Sequence, residues 1–186
     1  MKIKILIMIG VLVLLIFAVV VYFVVWPWAM IALGNSFLLN PPKPEITYAE
    51  FPFRLEYEIN GERKIIEDTL ICEYDGIGMD EGQGKYRKWK ERLASGKQKI
   101  ILVKVDDTKE IYYPTGSARY YMGDMKEYES YKQSFPDAAF VEKRGRITED
   151  GIIPSDELFK KYKIKLISWD ISKPIKNNFP TTKTKK

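Results

Sequence analysis

The sequence predicts an α+β protein, with one N-terminal transmembrane helix followed by a β-rich domain on an antiparallel sheet with two short helices. Three observations predict it. Residues 5–25 hold no charge and no proline. Residues 53–59 alternate apolar and charged side chains, the period of a half-buried strand. Asn60-Gly61 follows at once, the pair preferred in a two-residue type I′ hairpin turn because both positions take positive φ.

The helix comes first. Seventeen of the 21 residues from Ile5 to Val25 are Leu, Ile, Val or Phe. As a helix they measure roughly 31 Å, enough to cross a hydrocarbon core. At about −0.4 kcal/mol for each such residue, insertion gains on the order of 7 kcal/mol. The run is longer than the apolar region of a signal peptide, and it ends in Trp26-Pro27-Trp28 rather than a small-x-small cleavage site. Pro27 is expected to end or kink the helix. Trp26 and Trp28 are expected at the far membrane interface, with Lys2 and Lys4 at the near one. Beyond the span the first basic residue is Lys43. The positive-inside rule therefore predicts a single-pass protein of the cell membrane, with residues 1–4 in the cytoplasm and the C-terminal domain extracellular.

The rest of the chain divides by composition. Residues 26–44 read as an interfacial segment and a proline-rich spacer, with Pro41-Pro42-Lys43-Pro44 favouring an extended backbone. Residues 45–175 form the extracytoplasmic domain, and residues 176–186 a basic disordered tail. Lys2 and Lys4 precede the span and no acidic residue precedes Glu45. The remainder thus carries 28 basic against 25 acidic residues, a net charge of +3. That mixed balance is no electrostatic footprint for nucleic acid. The chain has no histidine and one cysteine, which removes imidazole bases, Ser-His and Cys-His couples, His-ligated zinc and intrachain disulfides. No cofactor and no metal is expected.

Within the domain, Phe53, Leu55, Tyr57 and Ile59 define the first strand. The return strand, 63–74, carries Ile66, Leu70, Cys72 and Tyr74 in phase, so Cys72 reads as an inert core thiol. Asp68 breaks that phase, which predicts a bulge near it. Asp75 to Gly84 reads as a glycine-rich acidic loop. A short helix is expected over 85–93, with Tyr86, Trp89 and Leu93 on one face and Lys85, Arg87, Lys88 and Arg92 on the other. Strands follow at 99–105 and 110–113, with turns at 106–109 and 114–117. Residues 123–151 read as irregular. Ser155 is expected to cap a second helix to about Lys161, ahead of a last strand at 163–171.

The strings Pro-Pro-Lys-Pro-Glu-Ile, Ile-Cys-Glu-Tyr-Asp-Gly and Gly-Lys-Tyr-Arg-Lys-Trp-Lys, behind a single N-terminal span, carry a resemblance. Together they resemble a group of small single-pass membrane proteins of Gram-positive bacteria such as clostridia. The resemblance implies a bacterial surface location and brings no activity and no site residue with it.

Four chemistries compete for the domain. Gly76, Gly78, Gly82 and Gly84 do not have the G-x-G-x-x-G or Walker spacing, and Asp80 and Glu81 would repel a pyrophosphate. A calcium loop through Asp75, Asp80 and Glu81 lacks oxygen ligands at its third and fifth positions, which are Ile77 and Met79. Those acidic residues are expected to face the basic segment 85–92 instead. Tyr112, Tyr113, Tyr120, Tyr121, Tyr128 and Tyr131 with Arg119 form either a sugar-stacking face or core and cross-strand pairs. A glycan hydrolase working through paired carboxylates is the remaining enzymatic possibility. The reading that fits best is a non-catalytic binding or assembly module of the cell envelope. Its partners are then the lipid bilayer and either another envelope protein or a cell-wall glycan.

The hairpin turn gives a direct check. Gly61→Val places a β-branched residue at positive φ and should cost about 1–2 kcal/mol, read as a lowered urea midpoint. An unchanged midpoint would show that the turn lies elsewhere.

Overall fold

Why the N-terminal helix runs on past its tryptophans is explained by one turn of wider helix. The computed structural model describes residues 2–80, 84–126 and 129–180. Helix α1 (Lys2–Val20) passes through a π-helical turn at Val21–Val25 into α2 (Trp26–Phe37). Pro27 was expected to end or kink the helix, and it does not end it. A proline lacks the N–H and crowds the carbonyl four residues back. The π turn, in which Trp26 N–H reaches Val21 O, loosens the backbone just before that position. The segment expected to lie along the interface is therefore helical as far as Phe37.

The chain divides into two units, Met1–Pro41 with Ile77–Tyr86, and Pro42–Gly76 with Arg87–Lys186. In the first, Lys85 Nζ donates to Leu38 O at 2.8 Å, joining the tip of a hairpin to the residue just after α2. Gly78 sits under the Tyr86 ring, where an added Cβ would lie 2.5 Å from a ring carbon.

The second unit is built on two four-stranded sheets rather than one. Strands β1 (Tyr48–Ile59) and β2 (Glu62–Asp80) form the expected hairpin, with φ of 53° at Asn60 and 84° at Gly61. Their register runs without a break from Tyr48 opposite Glu73 to Ile59 opposite Glu62, so the bulge expected near Asp68 is absent. Asp68 is accommodated differently. Its carboxylate accepts Thr69 N–H, Ser95 N–H and the Ser95 hydroxyl, so a polar group in an apolar phase is satisfied without breaking the ladder. The bulge lies instead between Glu56 and Tyr57, where β1 pairs with the last strand.

Residues 84–93, expected as a helix, form strand β3 (Gly84–Leu93). Trp89 and Leu93 lie four apart and share a face in either structure, so only Tyr86 had distinguished the two. The strand period governs: Arg87 and Trp89 are half-buried, whereas Tyr86, Lys88 and Lys90 are exposed. Residues 75–80 of the expected glycine loop are the far end of β2 and Gly84 opens β3, while 81–83 lie outside the described residues.

Sheet order is β3-β2-β1-β8 in one layer and β4-β5-β6-β7 in the other, with β4 at Ile100–Lys104, β5 at Lys109–Tyr113, β6 at Ala138–Arg144, β7 at Ile147–Ile153 and β8 at Ile164–Ile171. The two short helices are α3 (Ala118–Tyr121) and α4 (Ser155–Tyr162). The β6–β7 hairpin falls inside the stretch read as irregular. Glu142 stands opposite Glu149 and Lys143 opposite Thr148, so alternation is masked by polar residues. Ser155 is not the cap of α4. Pro154 holds that position, and Ser155 N–H donates to Asp137 Oδ1 at 2.9 Å.

One core serves both sheets. Phe51, Leu55, Leu70, Ile111, Tyr113, Leu158 and Ile164 are each at most 1% exposed. Tyr113 and Trp169 bring the layers together with ring centroids 4.6 Å apart. Cys72 lies wholly inside, and burial, assisted by Glu91, pushes its thiol up to about 12.

Near the start of this unit a buried charge fastens several segments. Asp124 is 4% exposed. Its Oδ1 accepts Arg87 Nε at 2.9 Å and also Arg87 Nη2, and its Oδ2 accepts Trp89 Nε1 at 2.7 Å. The Arg87 guanidinium lies 4.1 Å from the Phe179 ring centroid. Around it, Glu45 N–H donates to Asn178 O at 3.0 Å, and the Asn177 side chain bonds both N–H and C=O of Ile46. Asn177 and Asn178, in the stretch read as a disordered tail, are thus hydrogen-bonded to residues 45–46. The rest of that tail, 181–186, lies outside the described residues.

Removing one partner of a buried ion pair strands the other. Asp124→Ala should destabilise the domain by about 3 kcal/mol, since breaking such pairs costs about 3–5 kcal/mol. Urea unfolding of the full chain in detergent, followed by tryptophan fluorescence, measures it. A loss below about 1 kcal/mol would mean that the pair is solvated.

Candidate functional site

Strand β3 ends at Leu93 and β4 begins at Ile100, yet the two are edge strands of different sheets and share no ladder. The turn between them is held from below: Ala94 N–H donates to Thr69 O at 2.9 Å, and Ser95 is bound by Asp68. Burial alone would raise the Asp68 carboxyl. The Ser95 hydroxyl, two backbone N–H groups and Lys97 together outweigh that and hold it below the usual carboxylate range. A fixed turn at an open seam leaves clefts on either side of it.

The larger of these measures 730 Å³, within the size range of small-molecule sites. Ile66, Leu93 and Val141 give it apolar walls, and Lys97, Lys99, Lys104 and Lys143 surround them. Two carboxylates share the lining. Glu110 pairs with Lys104 at 3.2 Å, and Asp68 is committed to the turn. Lys99 Nζ lies 4.5 Å from the Tyr112 ring centroid. Among the described residues neither Lys97 nor Lys143 forms an ion pair. Ammonium groups are compact, hydrated point charges that accept phosphate or carboxylate in many orientations. The cleft therefore suits a ligand that is anionic and partly apolar.

The neighbouring cleft, 480 Å³, shares Leu93, Gln98, Lys99 and Ile100 with the first. It contains Glu91, whose carboxyl is raised by burial, against the lowering effect of the Ala118 N–H that it accepts at 2.9 Å. Among the described residues lining this cleft, Glu91 is the sole carboxylate. Paired-carboxylate hydrolysis needs a second one across the scissile bond, roughly 5–10 Å away. A third, wide-open cleft does hold Glu67 and Asp170, but Arg54 stands between them on the middle strand, opposite both. Asp68 lines the same cleft, but its carboxylate is committed to the Ser95 turn.

The residues singled out in the sequence are scattered over the structure. Lys2 and Lys4 open α1, and Trp26 and Trp28 stand in the first turn of α2, 56% and 58% exposed. Asp75 pairs with Lys88 on the adjacent strand at 2.7 Å, and Lys88 holds its carboxyl below the usual range. Its basic partner is on a strand and not on the expected helix. Glu81 and Tyr128 lie outside the described residues. Among those described, no group of three or more His, Cys, Asp or Glu side chains could hold a metal ion.

The tyrosines do not form one face. Tyr113 and Tyr121 are each 1% exposed in the core, and Tyr121 donates to Thr115 O at 3.0 Å. Tyr120 stacks on Tyr131 with centroids 3.8 Å apart. Arg119 is occupied by Glu129 and by Asp124 O. Tyr112, under Lys99, lines the seam, as does Tyr113. The sequence reading missed the lysine ring because its members come from a turn, β4 and β6, far apart in the chain.

Fold and cleft together define a class: an antiparallel β domain with a basic seam, in a chain that also carries one helix long and apolar enough to cross a membrane. No protein family, no curated protein and no solved structure matches this chain.

The basic seam is open to a simple measurement. Tripolyphosphate titrated into the full chain in zwitterionic nanodiscs should bind, and the double variant Lys97→Glu, Lys143→Glu should weaken it about tenfold or more, as should raised salt. Equal heats for both proteins would remove the cleft as an anion site.

Proposed function

We propose that the protein is a single-pass, membrane-anchored binding module of the cell envelope, with its N-terminus in the cytoplasm and its β domain outside. The observation that carries this reading is the helix from Ile3 to Gly34. Its most apolar stretch has no share buried inside the protein, and none of its residues belongs to the core of the β domain. A core helix of a soluble protein would be covered by its own chain. About thirty apolar residues with one charge, Lys4, need another apolar solvent, and a bilayer supplies it.

A cleavable signal sequence is the competing use for such a helix. Against it stand the length of the run, the Trp26-Pro27-Trp28 that ends it, and the continuation of the helix to Phe37. The orientation rests on Lys2 and Lys4 before the span and on Lys43 as the first basic residue after it.

The binding role rests on the seam. Of envelope ligands, a cell-wall glycan carrying negative charge fits the lysine rim and its apolar walls best, with an acidic face of another envelope protein as the alternative. The hydrolase reading has one feature in its favour, the raised carboxyl of Glu91 in the adjoining cleft. It lacks a second carboxylate there, so binding without turnover is the better account.

Fractionation and protease access test anchorage and orientation together. The full-length chain should stay in membranes through alkaline carbonate extraction. Protease added to intact protoplasts should then digest the domain and spare the span. A shortened, soluble chain would mean that the helix is a signal sequence. Protection of the domain until the membrane is opened would reverse the orientation.

A further inference from the structure

The end of the long helix and the tip of the β2–β3 hairpin belong to the same unit, and both display apolar side chains. Phe37, Leu38 and Leu39 are 79%, 44% and 93% exposed, and Ile77 and Met79 are 43% and 55% exposed. Ile77 and Met79, two apart on a strand, point to one side. The tip is fastened to the helix end by the Lys85 Nζ to Leu38 O hydrogen bond of 2.8 Å. Leu38 also reaches Gly84, where an added Cβ would stand 3.1 Å from its Cδ1. Single exposed apolar residues need no explanation, but a cluster tied to the end of a bilayer-length helix does.

We propose that the described ends of β2 and β3, residues 77–80 and 84–86, make a second membrane contact, with Ile77 and Met79 entering the headgroup layer beside Phe37–Leu39. The inference rests on the helix being a membrane anchor. Length supports it. The 32 residues of Ile3–Gly34 make a rod of ~48 Å, against ~30 Å of hydrocarbon and ~40–45 Å for the whole bilayer. A tilt within the usual range of up to about 40° fits the apolar helix inside the full thickness and brings Leu38 to the outer headgroups. Upright, the same helix would lift the tip clear of the lipid. The hairpin is thus the prop that favours the tilted arrangement, since interfacial anchors set the tilt of a span. The contact is apolar, so its partner is the lipid bilayer itself and not an anionic headgroup in particular.

The test uses the full chain with Cys72→Ala, which leaves no native thiol. An environment-sensitive nitrobenzoxadiazole label is placed at Met79→Cys, at Ile77→Cys or, within the span, at Phe23→Cys. Each protein is reconstituted into phosphatidylcholine nanodiscs with and without spin-labelled lipid, the quencher sitting either near the headgroup or deep in the acyl chain. The label at 23 should be quenched by the deep probe. The labels at 77 and 79 should lose about half or more of their emission to the shallow probe and little to the deep one. Quenching at 23 with none at 77 or 79 would overturn the hairpin contact and leave the anchor standing. No quenching at any position would overturn both.

Discussion

A carboxylate removed from water has to be met by donors, and Asp124 is met by Arg87 and Trp89. Those two residues sit two apart on one face of β3, so the demand of a single buried charge fixes the phase of that strand. It also fixes what surrounds it. Arg87 spreads against Phe179 and reaches toward Pro42 O, and the peptide oxygen of Asp124 accepts Arg119 Nη2 at 3.1 Å. A strand, the turn after α3 and the segments 42–46 and 175–179 therefore meet at one ion pair. Such a pair adds little net stability compared with an apolar packing of the same volume. Its role is to specify one arrangement among the many that greasy contacts alone would allow.

What could be read from the residues follows from the range of the interaction involved. The β1–β2 hairpin was legible because alternation and Asn60-Gly61 are local and agree with each other. The strand over 84–93 was not, because Trp89 and Leu93 satisfy both periods and the deciding partner, Asp124, lies more than thirty residues away. The β6–β7 hairpin carried a local sign that was passed over. Gly145 alone takes positive φ in the two-residue turn between Arg144 and Ile147, as in a type II′ turn. Proline at 27 misled in the other direction, since a π turn upstream made room for it. The basic cleft left no sign at all, for its lysines converge only once two sheets have formed.

Among the described residues, the core of the β domain draws none of its side chains from the long helix, and that shapes the functional reading. The core draws on all eight strands and both short helices, with Tyr113, Trp169 and Phe53 joining the layers. Closing the two sheets on one core leaves edge strands at the β3–β4 seam, where backbone groups and long basic side chains face outward. Edges are a hazard for unwanted strand pairing, and a ring of lysines is one of the ways proteins blunt them. The same charges that protect the edge give it a taste for anions.

The hydrogen bonds between residues 45–46 and 177–178 span 131 to 133 positions of chain. Both ends of the domain must be synthesised before that clasp can form. During synthesis, residues 45–46 emerge well before Asn177 and Asn178, their hydrogen-bond partners. Contacts so far apart in sequence are a mark of non-local topology, the kind that folds more slowly than local ones. Until then the residues ahead of β1 lack these partners, and the clasp ties the first residues of the domain to its last.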